Sequence, residues 1–252
     1  MNQLRHLNIL TFYGAVTTNT AQPCIVMEKC QCSVYDQLKK YGSLANSSQQ
    51  ARLNLQTRIR YGLDAAKGLV FLHRRLIIHR DLKTSNLLIS NDRNKTIKVC
   101  DFAISREMGG SNSVTEQSLP TADASNLGTP GWGSPEQILG DQVTFKSDVY
   151  SFAMILWELL HATVPFRDEL FGTGMSPSLQ KLRLMDITIK QLRPPIEQEK
   201  QAWFGASHEV WALYTELMTQ CWSQDPAGRP DFEEVQERID SMLKIVKAES
   251  SQ

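Results

Sequence analysis

Residues 79–86 read His79-Arg80-Asp81-Leu82-Lys83-Thr84-Ser85-Asn86, and Asp101-Phe102-Ala103 follows after a short apolar run. Two carboxylates and a carboxamide supply oxygen ligands of the kind a hard cation such as Mg2+ prefers. A lysine two residues after Asp81 is a mobile point charge suited to an anion. Singly, each of these side chains reads as a solvated surface group. Their order and spacing, with a second acidic segment placed after a strand, set the group apart.

The elements around them must hold the group in place. Residues 8–16 and 23–27 read as paired strands joined by a polar turn at 17–22. Residues 33–40 predict a short helix stopped near Gly42, and Ser47-Ser48 offers a cap for the next one. Residues 52–75 give the clearest helix: Leu55, Ile59, Leu63, Ala66, Leu69 and Val70 recur at three- and four-residue steps. Gly62 and Gly68 weaken its propensity, so packing must sustain it, and they allow another segment to approach closely. Residues 87–90 and 96–100 predict two short strands around a turn at 91–94. Residues 107–126 are rich in Ser, Thr, Gly and Asn and predict a long mobile loop. Helices are expected over 145–161, capped by Thr144 or Asp141, then 176–190 with Pro177 in the first turn, 208–222 and 231–246.

The 252 residues are 41% hydrophobic and 21% charged, a globular composition. Lys+Arg and Asp+Glu both number 27, which argues against a general attraction to nucleic acid or to an anionic membrane. The most apolar stretch, residues 152–166, is interrupted by Glu158, His161 and Pro165 and is too short and polar to span a bilayer. Five cysteines at irregular spacing, with Cys30-Gln31-Cys32 too close for the usual Cys-x-x-Cys, point to thiols in a reducing compartment. A cytoplasmic location is expected, with the nucleus as the alternative.

The ordered motifs resemble those of eukaryotic protein kinases, in particular the tyrosine-kinase-like group of serine/threonine kinases, over residues 6–245. The resemblance implies an α+β, protein-kinase-like fold with a truncated small lobe (strands four and five onward) and a complete, mostly helical C-terminal lobe. It divides the chain into a remnant of the N-terminal lobe and hinge at 1–30, the C-terminal lobe at 31–247 and a tail at 248–252. It implies ATP and Mg2+ as cofactors and transfer of the γ-phosphate to Ser or Thr hydroxyls of a protein substrate. Asp81 would orient or accept the hydroxyl proton, Lys83 would reach the γ-phosphate, and Asn86 and Asp101 would ligate the metal. Met27 maps to the gatekeeper, the Glu28, Lys29 and Cys30 backbone to the adenine-binding hinge, and Leu88 to the floor under the ring. A plainer reading makes Met27 a core residue.

Gly128-Thr129-Pro130-Gly131-Trp132-Gly133-Ser134-Pro135-Glu136 is similar to the segment that receives the substrate, and Thr129 would bridge Asp81 and Lys83. His79 and Phe102 would be structural, Asp148 would hold the catalytic loop from below, and Arg229 would pair with Glu136. Arg80 would meet a phosphate placed by an upstream kinase on the 105–129 loop, where Ser111, Ser113, Thr115, Ser118, Thr121 and Ser125 are the candidates.

The departures from the pattern are Leu7 where the family has proline, Ala103 where it has glycine, and Ser134 where it has alanine. No stretch in these residues matches the family's glycine-rich loop, the strand-three lysine or its glutamate partner. A fragmentary sequence is therefore expected, with weak Mg-ATP binding by this chain alone and a solvent-facing apolar sheet surface. The alternative function is a catalytically inactive kinase-like binding or scaffold module. No nucleic-acid or membrane partner is expected.

Overall fold

A computed structural model describes residues 4–16, 24–41, 53–101, 106–107 and 129–250. Strands β1 (Phe12–Val16) and β2 (Cys24–Met27) form an antiparallel pair. The short β3 (Cys32–Ser33) leads straight into α1 (Val34–Tyr41). Helix α2 (Leu55–His73) starts at Asn54, whose side chain accepts from the Thr57 amide. The expected caps Ser47 and Ser48 and the stop at Gly42 lie outside the described residues, as does the turn at 17–22. After β4 (Ile77–Ile78) a 3₁₀ turn at Thr84–Asn86 opens into β5 (Leu87–Ile89) and then β6 (Ile97–Val99). β3, β5 and β6 make one antiparallel sheet. β7 (Arg106–Glu107) pairs with β4, so the start of the expected loop is a strand.

The rest of the described chain is helical: α3 (Pro135–Leu139), α4 (Phe145–His161), α5 (Arg167–Leu170), α6 (Pro177–Ile189), α7 (Glu199–Phe204), α8 (His208–Cys221) and α9 (Phe232–Glu249). Thr144 and Ser147 cap α4 reciprocally, a capping box that satisfies two backbone donors. Helix α4 is buried from Ser147 to His161, which explains why its sequence is apolar almost all round. It packs with α2, α8 and α9 around Ile59, Leu69, Phe152, Leu159, Leu217 and Phe232. None of the described helices is long and apolar enough to cross a membrane. The result is an α+β, protein-kinase-like fold with a strand-poor N-terminal part and a mostly helical C-terminal lobe.

Two contacts set the frame on which the site is built. Arg229, at the end of the 3₁₀ turn Pro226–Gly228, donates from Nη1 and Nη2 to the two carboxylate oxygens of Glu136 at 2.7 and 3.0 Å. Ser147 Oγ adds a bond to Glu136 Oε1. Burial would raise the Glu136 carboxyl, but these bonds outweigh it and hold it below the usual range. Removing one partner of such a pair leaves a buried charge uncompensated, at about 3–5 kcal/mol.

The second contact ties the N-terminal segment to the lobe. Asn8 and Leu10 exchange backbone bonds with Val99, and Asn8 Nδ2 donates to Ile97 O at 3.0 Å. This close approach passes over Gly68: a Cβ there would stand 2.6 Å from Asn8 O and 2.9 Å from a Val99 methyl. The glycine inside α2 is thus the residue that lets the segment lie flat on the helix. Gly68→Ala should destabilise the protein, at about 1–3 kcal/mol for overpacking against backbone less the ~1 kcal/mol by which alanine favours helix. Urea unfolding measures it. A variant at least as stable as the wild type would contradict the close packing.

Candidate active site

The site begins with Asp148 in the first turn of α4, buried to 1% exposure. Its Oδ2 accepts from the His79 amide at 2.8 Å and its Oδ1 from the Arg80 amide at 2.9 Å. The ring of His73, at the end of α2, reaches Oδ2 at 2.9 Å. Arg80 has φ of +71°, a left-handed conformation that a non-glycine residue adopts at a cost. The two amide bonds to Asp148, and Gln137 Nε2 donating to Arg80 O, hold it there.

His79 is fully buried and structural in its contacts. Its Nδ1 accepts from the Asp81 amide, so Nε2 carries the proton and donates to Cys100 O at 2.9 Å. One ring therefore links the loop to the strand end that carries Asp101. Asp101 is exposed and also left-handed, with φ of +66°. Phe102 and Ala103 lie outside the described residues, as do the six loop hydroxyls from Ser111 to Ser125.

Asp81, Lys83 and Thr129 close a triangle. Lys83 Nζ donates to Asp81 Oδ2 and to Thr129 Oγ1, both at 2.7 Å, and the Thr129 hydroxyl donates to Asp81 Oδ1 at 2.6 Å. Burial pushes the Asp81 carboxyl up, but the bonds from Lys83 and then Thr129 outweigh it and hold it below the ordinary range. Asn86 Nδ2 donates to the Asp81 carbonyl at 2.7 Å and to its Oδ2 at 3.2 Å. Its nitrogen is thereby engaged, which leaves Oδ1 as the atom able to ligate a cation. Among the described residues no cluster of three His, Cys, Asp or Glu could hold a metal by itself. The donor set of Asn86 and Asp101, one neutral and one charged oxygen ligand, suits Mg2+ that keeps waters and phosphate oxygens in its shell.

Residues 27–30, where a hinge was expected, run from the end of β2 towards β3. Met27 ends β2 and is 47% exposed, so the core-residue reading is wrong: β2 presents all four of its side chains to solvent. Tyr13 and Ile25 are exposed beside it. The Glu28 amide donates to Thr11 O, and Lys29 O accepts from Asn91. Cys30 makes no backbone hydrogen bond to another of the described residues. Leu88, half-buried on β5, pairs with Ser33 and Lys98.

Several participants carry no motif that sequence reasoning used. His73 and Gln137 brace the loop. Lys98 Nζ sits 3.0 Å from Glu28 Oε2 and donates to Leu7 O, fastening the hinge to β6. Glu158 accepts from Thr84 and Trp132. Only Glu158 had a signal, a lone acid inside the most apolar stretch of the chain.

A helical lobe under a small sheet, with an HRD loop braced by a buried aspartate and a second acidic segment at a strand end, defines a protein kinase fold. The chain belongs to the protein tyrosine and serine/threonine kinase family, whose sequence model matches residues 1–239. It is 34% identical over 247 residues to Serine/threonine-protein kinase STY17 of Arabidopsis thaliana, covering 98% of this chain and 36% of that protein. It is 33% identical over 253 residues to STY46 of the same plant, covering 100% of this chain and 37% of that protein. Serine/threonine/tyrosine-protein kinase HT1, also from Arabidopsis, is 31% identical over 247 residues, 98% of this chain and 54% of that protein. The chain thus spans between about a third and a half of the length of these relatives.

The triangle makes a prediction about charge. Because Lys83 is the largest influence lowering the Asp81 carboxyl, Lys83→Met should raise its pKa, and Thr129→Val should do so less. The sign for stability follows: a depressed carboxyl stabilises above its unfolded pKa of about 3.9, and that contribution fades as pH falls through the folded value. Carboxyl 13C NMR titration reads the shift directly. An unmoved Asp81 in the Lys83 variant would rule out the assigned interaction.

Proposed function

We propose that this chain is the catalytic portion of an ATP-dependent serine/threonine protein kinase. The observation that carries the reading is the Asp81–Lys83–Thr129 triangle, with Asn86 fixed against it. In this reading Asp81 orients the substrate hydroxyl and takes its proton as the new O–P bond forms and the bond to the ADP oxygen breaks. Lys83 holds charge on the transferring phosphoryl group, and Thr129 keeps Lys83 and Asp81 in register. Asn86 Oδ1 and Asp101 are the residues that would hold Mg2+, which when bound neutralises phosphate charge. Glu28, Lys29 and Cys30 supply the adenine edge, with Met27 behind it and Leu88 beneath. A lysine two residues after the catalytic aspartate, the pattern of the serine/threonine group, supports Ser or Thr as the acceptor, as do the names of STY17 and STY46.

The domain division proposed is a small-lobe and hinge portion at 1–30, a C-terminal lobe at 31–247 and a tail at 248–252. An upstream kinase acting on the 105–129 loop is proposed as a partner. Arg80 Nε is buried without a hydrogen-bond partner among the described residues, which leaves a guanidinium able to take a phosphate. We place the protein in the cytoplasm, with the nucleus as the alternative, on its cysteine usage; imaging of the tagged gene product tests that.

The test of function uses the full-length gene product containing this chain. Asp81→Asn should lower phosphate transfer to a Ser/Thr substrate by about 10²–10⁴-fold while nucleotide binding persists. Asp101→Asn should instead weaken the Mg2+-dependent part of nucleotide binding. Near-full turnover of the Asp81 variant, or metal dependence untouched in the Asp101 variant, would overturn these roles.

A further inference from the structure

The peptide that joins Arg80 to Asp81 is planar, so its carbonyl oxygen and its amide nitrogen turn together. Arg80 O accepts from Gln137 Nε2 at 3.0 Å, and the Asp81 amide donates to His79 Nδ1 at 3.3 Å. The preceding peptide is held separately, by the Arg80 amide donating to Asp148 Oδ1. Asp148 therefore fixes one side of the Arg80 Cα. Rotation on the other side, about the Cα–C bond, is set by whatever grips the next peptide. His79 grips it with the longer bond and from within the same loop. Gln137 grips it with the shorter bond and from a different element.

The sequence around Gln137 gives that side chain a fixed base. Gln137 is 4% exposed on α3. The residue before it is Glu136, whose pair with Arg229 anchors the helix. The residue after it, Ile138, packs into a small core with Phe166, Leu170, Leu184 and Ile187. Ser134, where the family pattern has alanine, caps α3: its hydroxyl accepts from the Gln137 amide at 3.4 Å. The carboxamide thus starts from a held backbone and ends on one carbonyl 57 residues earlier in the chain. We propose that Gln137 is a positioning residue: by holding Arg80 O it fixes the plane of the peptide from which Asp81 departs, and so aims the Asp81 carboxylate at the substrate hydroxyl.

The aim at a hydroxyl rests on the kinase reading, while the fixed peptide is a matter of geometry. Lys83 and Thr129 hold the tip of the Asp81 side chain, and Gln137 holds its root. A methionine at 137 is of similar length and offers no donor. Without the bond, the Arg80–Asp81 peptide is free to turn about the Arg80 Cα–C bond, and the carboxylate shifts against Lys83 and Thr129. Small displacements of a reacting group lower the rate of the chemical step without weakening ground-state binding.

The experiment compares Gln137→Met with wild type in the full-length gene product, with folding checked by circular dichroism and melting. The first readout is the 13C′ shift of Arg80, which moves upfield when the carbonyl loses a hydrogen bond. The second is the 13C titration of the Asp81 carboxyl, which burial raises and the bonds from Lys83 and Thr129 hold below the ordinary range. The third is steady-state kinetics with separate titrations of protein substrate and ATP. In the methionine variant the Arg80 carbonyl should move upfield and Asp81 should titrate higher. Its kcat should fall about 10–100-fold, with both KM values unchanged. Should that variant not fold, Gln137→Asn keeps the amide but stops one methylene short of Arg80 O, and should show the same three changes.

An unmoved Arg80 carbonyl in a folded variant overturns the contact whatever the activity. A moved carbonyl with either the Asp81 titration or kcat unchanged overturns the positioning role. A moved carbonyl and a raised Asp81 in a protein whose wild type transfers no phosphate sink the kinase reading and support the fixed peptide alone.

Discussion

The site depends on one buried carboxylate. Asp148 receives two consecutive backbone amides, from His79 and Arg80, and the ring of His73. Hydrogen bonds to a charged group are worth about 1.5–3 kcal/mol each, which exceeds the cost of order 1–3 kcal/mol for holding Arg80 in the left-handed region. Without that anchor the peptide at Arg80 would relax, and the Asp81 amide would leave His79 Nδ1. The direction of the Asp81 side chain follows from a contact made by backbone atoms two residues away and 69 residues before their partner.

Around this anchor the fold arranges three rigid supports. Helix α4 supplies Asp148 at its first turn and Glu158 near its last, so one buried helix touches both the loop before the 3₁₀ turn and the turn at 129–133. The Glu136–Arg229 pair fixes α3 beneath that turn, and Gln137 of the same helix reaches Arg80 O. On the sheet side, the Val99 bonds to Asn8 and Leu10 and the Lys98–Glu28 pair connect the hinge edge to the strand that leads to Asp101. Groups from distant parts of the sequence are thus positioned by helix and sheet rather than by the loops that carry them, which is the condition for a preorganised site.

Much of this was legible in the sequence, for physical reasons that differ by element. Helices α2 and α4 are long, with many apolar positions, and α4 has a recognisable cap at Thr144, so their period or continuous burial was plain; the cap of α2 was not, and the helix begins a few residues later than its pattern suggested because Asn54 caps it. Helices α3, α5 and α7 are too short to display a period and were not anticipated. β7 was hidden in a polar stretch because its pairing with β4 is set by backbone atoms. Met27 maps to the gatekeeper by resemblance, with core as the plainer alternative, and the structure shows β2 with solvent on its side-chain faces. The Glu158 and His73 contacts depend on helix rotation and on residues 26 to 75 positions apart, which no local pattern encodes.

The geometry of the whole site turns on Asp148 holding the loop. In wild-type protein the His79 and Arg80 amides should exchange slowly, at rates close to those of the α4 core. Asp148→Asn keeps the volume but replaces one acceptor oxygen with a donor nitrogen that faces an amide proton. Native-state hydrogen exchange of that variant should show those two amides losing about tenfold or more of their protection while α8 and α9 keep theirs. Unchanged protection at His79 and Arg80 in that variant would contradict the anchoring role of Asp148.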